Sequence, residues 1–163
     1  MTSSQTDAPR DLGPAVRFPP PLPFALAFLI GSVLDRYVPL PVVVPSAAWT
    51  GVVGATMFVA GVALVLTGMN TFRKARTAIY PNRPARNLVT HGIYAYTRNP
   101  MYLGFSVAYL GGVVATGSLW CLLLLPFVLI GIVTQVIRRE ERHLRERFPD
   151  EFAEYSARVR RWL

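Results

Sequence analysis

Cysteine and charge are both scarce in this chain. Of 163 residues one is cysteine, Cys121, and 16% are charged, against an apolar share of 52%. A single cysteine excludes a disulfide scaffold. With His91 and His143 as the only histidines, no metal-ligand set assembles either, so no metal is expected. Asp, Glu, Lys and Arg are absent from Val38 to Phe72 and again from Asn99 to Ile137. A soluble domain carries nearer a quarter charged residues. These gaps, with a mean hydropathy of +0.35, exclude a water-soluble globule and a disordered chain. The remaining class is a chain that lives in a bilayer.

A membrane core takes about 20 mainly apolar residues per helix. Trp49 to Met69 fits one span, whereas Tyr102 to Ile137 is long enough for a hairpin of two. Gly117-Ser118 is the break within it, which starts the third span near Pro100 and ends it near Thr116. Phe18 to Val38 supplies a further span. Pro19, Pro20, Pro21 and Pro23 crowd its start, where a missing N–H costs no internal bond. Leu22–Leu34 also has signal-peptide length, and Ser46-Ala47-Ala48 loosely resembles a cleavage site. Eleven residues with a charged pair and three prolines separate the two, so cleavage is rejected. The expected fold is all-α: a polytopic membrane protein of about four transmembrane helices, with a flexible tail over 1–17 and one membrane-embedded domain over 18–163.

Four spans put the N-terminus, the 70–100 loop and the C-terminal tail on one side. Of the Lys and Arg residues only Arg36 lies opposite, so positive-inside bias makes that side cytoplasmic. The expected location is a bacterial-type inner (plasma) membrane with both termini cytoplasmic. The net charge of +8 sits wholly in those segments and reads as topology plus attraction to anionic lipid; no nucleic-acid module is apparent. After Ile137 the chain turns polar but patterned. Leu144, Phe148, Phe152, Tyr155, Val159 and Trp162 line one helical face, with Pro149 marking a join between two helices. Such a stripe suits the membrane surface, a lid over the spans, or docking on the rest of the chain. Gly51, Gly54, Gly61 and Gly68 share a stripe on the second span that admits a close neighbour, within the monomer or in a homodimer.

Polar residues gather in two places, His91–Tyr102 before the third span and Arg138–His143 after the fourth, and the hairpin brings them together. Asn99 is a good N-cap and Pro100 a good first helical residue. The helix start and Arg98 can receive a carboxylate or phosphate, and Tyr94, Tyr96 and Tyr102 offer flat faces with polar tips. The same residues could serve as a membrane-boundary belt. Glu140 and Glu141 can bind an ammonium or sulfonium, hold Arg98 in position, or pair along a surface helix.

The order Arg98-Asn99-Pro100-Met101-Tyr102, a long apolar hairpin, then Glu140-Glu141 resembles the cofactor signature of membrane-embedded methyltransferases. These form the isoprenylcysteine carboxyl methyltransferase and phospholipid methyltransferase superfamily. Leu88–Tyr94 and the ending from Phe148 through Arg161-Trp162 resemble it too, so the likeness runs from about Asn70 to Leu163. The resemblance implies S-adenosylmethionine as cofactor, with His91, Tyr94, Arg98, Asn99, Pro100, Tyr102, Glu140 and Glu141 in its pocket. Arg98, Glu140 and Glu141 are the catalytic candidates. The acceptor it implies is lipid-like or small and apolar. Isoprenylcysteine enzymes carry His where this chain has Asn99, which keeps a donor and an acceptor but cannot carry charge. No G-x-G-x-x-G follows a strand, which excludes the soluble nucleotide-fold type of methyltransferase. The alternatives are an NADPH-dependent isoprenoid or sterol reductase-like protein and a non-enzymatic four-span transporter or lipid-binding protein.

Overall fold

The first helix, α1 (Pro21–Tyr37), starts in its proline cluster with Pro21 in the first helical turn, where the absent N–H would have had no partner. In the computed structural model, which describes residues 19–40, 48–75 and 87–163, it is followed by α2 (Ala48–Lys74), a single 3₁₀ turn (Gly92–Ala95) and α3 (Pro100–Thr116). Then come α4 (Leu119–Ile132), a π turn (Val133–Ile137), α5 (Arg138–Arg147) and α6 (Pro149–Arg158). The described residues are otherwise loops and turns. The tail expected over 1–17 and the Ser46-Ala47 pair lie outside them.

The expected hairpin forms where the small residues stand. Gly117 ends α3 at φ 67°, a left-handed position that favours glycine. Ser118 then opens α4, its Oγ accepting from the Cys121 N–H at 3.0 Å. The two helix pairs are α2 with α3 and α1 with α4. Glycine makes the first pair possible: a Cβ on Gly54 would strike Gly111 and Ala115, and one on Gly61 would strike Gly104 and Ala108. A Cβ on Gly68 would meet Met101, so three glycines of the stripe are used within the chain, while Gly51 faces open space. In the second pair, the Trp120 indole N–H donates to Val38 O at 2.8 Å, and Cys121 fills the place a Gly31 side chain would take. Tyr109 ties the pairs together, its ring edge-on to Phe28 and its O–H donating to Cys121 O.

Among the described residues, two helical stretches are long and apolar enough to cross a membrane: Trp49–Lys74 and Leu119–Arg147, the latter continuous through the π turn. The helices α1 and α3 have 17 residues each. At a rise of 1.5 Å per residue such a helix reaches roughly 25 Å, short of a core of about 30 Å.

The π turn sets the facing of the two acids. It lodges one extra residue, so after Cys121, Leu125 and Ile132 both Val136 and Ile137 are buried, and Glu141 follows on that face. After Phe148 the chain turns back at Pro149, as the sequence indicated. The stripe docks on its own protein: Phe152, Tyr155 and Val159 are buried with Leu88, Leu144 and Phe148 packed against them. Trp162 reaches the main core, which includes Ile132, Val136 and Ile137.

Candidate active site

The loop before α3 and the start of α5 meet the segment after α6, and the three together hold the polar cluster. Arg98 and Glu141, 43 positions apart in sequence, form an ion pair at 3.2 Å, with 15% and 9% of their side chains exposed. Glu141 also receives a two-pronged contact from Arg161, Nε to Oε1 at 3.0 Å and Nη2 to Oε2 at 2.7 Å. A forked guanidinium on a carboxylate is among the stronger charge-assisted contacts, because both donors match both oxygens. Glu141 raises the affinity of Arg161 for its proton still further. One carboxylate is therefore shared between two cations.

Glu140 has a different environment. Its Oε1 accepts from the Tyr102 O–H at 2.9 Å. It stands three residues past Ile137, where the charge-free run ends, and keeps part of its surface exposed. Desolvation still pushes its carboxyl up to about 7, helped by the charge of Glu141 and opposed by the Tyr102 hydrogen bond. Two adjacent acids thus have different environments: Glu141 is an engaged counter-ion, whereas Glu140 meets a phenol and is harder to ionise.

The loop before α3 is held mainly by the C-terminal segment. The Arg98 N–H donates to Arg160 O at 3.0 Å, and Thr97 Oγ1 and Asn99 Nδ2 donate to Arg161 O at 3.2 and 2.9 Å. Asn99 occupies the N-cap position of α3 but makes no side-chain cap; its amide turns to Arg161 O instead, and Thr97 Oγ1 accepts the Asn99 N–H. Pro100 is the first residue of the helix and is fully buried. Tyr94 is buried, its ring edge-on to Phe72 and its carbonyl accepting from the Tyr155 O–H at 2.7 Å. Burial, with Glu140 nearby, keeps the Tyr94 phenol protonated, and burial pushes Tyr155 up to about 12.

Seven of the eight sequence candidates, namely Tyr94, Arg98, Asn99, Pro100, Tyr102, Glu140 and Glu141, therefore surround one region. His91 is exposed at the head of the 3₁₀ turn, and its carbonyl rather than its ring meets Tyr94. Tyr96 is exposed as well. The sequence reading missed Arg161, Thr97 and Tyr155. A signal was there for Arg161: it lies between Val159 and Trp162, two members of the apolar stripe, so its backbone had to come down onto the protein. Among the described residues, Tyr94 Oη and Arg98 Nε are buried with no hydrogen-bond partner.

The sequence profile of the phospholipid methyltransferase family matches residues 49–151, which takes in α2, the loop, the hairpin and both acids. The chain belongs to that family. It is also similar to the protein-S-isoprenylcysteine O-methyltransferase of Schizosaccharomyces pombe (strain 972 / ATCC 24843), with 40% identity over 72 residues. That stretch is 44% of this chain and 30% of the yeast protein. No solved structure matches the chain. A phospholipid methyltransferase family member with this hairpin is a membrane protein of the methyltransferase type, and its polar cluster falls mostly within the matched stretch.

Proposed function

We propose that the chain transfers a methyl group from S-adenosylmethionine to a lipid-like or small apolar acceptor, at the cytoplasmic face of a bacterial-type inner membrane. The observation that carries this reading is the convergence of Arg98, Glu141 and Arg161 beside Glu140 and Tyr102 at one end of the bundle. The residues fit the donor's chemistry. Two arginines on one carboxylate leave a surplus positive charge, and the buried Arg98 Nε has a hydrogen bond still to give, as a carboxylate requires. Tyr94 Oη is a second buried donor without a partner, and the aromatic faces suit adenine or a sulfonium. Glu140 offers negative charge to an ammonium or sulfonium.

S-adenosylmethionine, when bound, supplies an electrophilic methyl group on a sulfonium. The protein's own contribution is to hold both partners in line and keep water out. Arg98, fixed by Glu141 and by its backbone bond to Arg160, orients an anionic group. Tyr102 holds Glu140 in place. A carboxylate or thiolate acceptor needs no base; for an amine acceptor Glu140 is the group that could take the proton. Glu141, already bound to two guanidiniums, is the positioning acid.

We further propose four spans with both termini cytoplasmic, α1 and α3 crossing beside their longer partners. This rests on the one-sided distribution of Lys and Arg. Calorimetry of the detergent-purified chain with S-adenosylmethionine tests the reading, together with transfer of labelled methyl to membrane lipids. Binding that is lost in Glu141→Ala is expected. No heat with S-adenosylmethionine, or heat with NADPH instead, overturns it.

A further inference from the structure

Arg161 has two separable connections to the rest of the protein. The backbone of Arg160 and Arg161 is fixed by three hydrogen bonds from the loop before α3: Arg98 N–H to Arg160 O, and Thr97 Oγ1 and Asn99 Nδ2 to Arg161 O. Trp162, packed against the main core, anchors the same segment. None of these contacts uses the Arg161 side chain. That side chain instead forks onto Glu141, Nε to one carboxylate oxygen and Nη2 to the other. Seating the segment does not require a guanidinium, so the guanidinium has another task.

We propose that Arg161 is a positioning residue of the candidate site. By forking onto Glu141 it divides one carboxylate charge between two cations, so Arg98 keeps a surplus positive charge and Glu140 is shielded from its neighbour. Without Arg161, Glu141 and Arg98 would neutralise each other and Arg98 would lose its pull on an anion. The full Glu141 charge would also bear on Glu140. The groups that face Glu140 are Tyr102 from α3, Tyr94 from the 3₁₀ turn and Glu141 from its own helix, with Arg98 and Arg161 beyond Glu141. Arg161 can be changed without touching the hairpin, the loop before it or the acids. The inference rests on the methyl-transfer reading only for what the surplus charge of Arg98 serves; the shielding of Glu140 stands on the geometry.

Infrared titration of the ligand-free protein tests it, using the protonated-carboxyl band that disappears in Glu140→Gln. Arg161→Gln is expected to raise the Glu140 midpoint by about one pH unit, the scale of losing a unit charge across a neighbouring group at an effective dielectric of about 20. Arg161→Lys keeps the charge and loses the fork, and should leave the midpoint close to wild type. Arg161→Met, which keeps the packed stem, replaces the glutamine variant should that one not accumulate. A midpoint that ignores Arg161→Gln or Arg161→Met, or that moves as far in Arg161→Lys, overturns the proposal, because a merely structural strap would not respond to charge alone. Calorimetry with S-adenosylmethionine should then show about tenfold weaker binding in Arg161→Gln. Absence of any heat in the wild type would sink the methyl-transfer reading, while the infrared result would still decide the role of Arg161.

Discussion

Replacing Glu140 with glutamine isolates the charge of one carboxyl while keeping an oxygen to accept from Tyr102. Burial, aided by Glu141, moves this carboxyl from 4.5 to about 7. Between those values the folded chain still holds a proton that the unfolded chain has released. Stability from this group is therefore fully present below 4.5, falls as pH rises towards 7, and is flat beyond. At about 1.4 kcal/mol per pH unit the full loss is about 3 kcal/mol, and the solvent contact Glu140 retains reduces it to roughly 1–2 kcal/mol. Glutamine has no proton to lose. The stability of Glu140→Gln relative to wild type should therefore grow by about 1–2 kcal/mol between pH 5 and pH 8. Denaturant unfolding in mild-detergent micelles, followed by tryptophan fluorescence, measures that difference at each pH. A difference that stays level, or shrinks towards pH 8, refutes the reasoning.

The other expectations concern the counter-ion and the helix contacts. Glu141→Ala leaves Arg98 and Arg161 facing each other without an anion, and should cost about 2–4 kcal/mol in the same unfolding assay as well as donor binding in calorimetry. Gly61→Val drives a side chain into the backbone of α3 and should cost about 3 kcal/mol or more, read as loss of the monodisperse peak in size-exclusion chromatography. Gly51→Val, which meets open space, should elute as wild type does. Tyr155→Phe removes the bond to Tyr94 O and should lower stability by about 1 kcal/mol, with a matching fall in the thermal midpoint.

Much of the framework could be read directly. The charge-free runs located α2 and the α3–α4 hairpin, and Gly117-Ser118 marked its turn because only a residue tolerant of positive φ followed by a capping hydroxyl suits that place. Pro149 marked the join of α5 and α6 for the same local reason. The meeting of Arg98 with Glu141 was foreseen, since a hairpin must bring its two ends together. Less legible was the side-chain role of Asn99. Its type and position suggested a cap, but the carbonyl of Arg161 competes for the amide, and that carbonyl arrives from 62 residues away. The division of labour between Glu140 and Glu141 was hidden as well, because two neighbouring identical residues look alike in any pattern.

Local rules act within a few residues: periodicity, the punctuation of glycine and proline, and the expulsion of charge from apolar segments. From these the sequence by itself determined that the chain is helical, where its hairpin turns, and which short stretches carry polar chemistry. Which acid meets which partner was decided only in three dimensions. The π turn adds one residue ahead of the acids and the segment after α6 delivers Arg161, so Glu141 lies between two guanidiniums while Glu140 meets a phenol. The physical reason is that electrostatic environment depends on distance and desolvation, and both are set by parts of the chain that are remote in sequence.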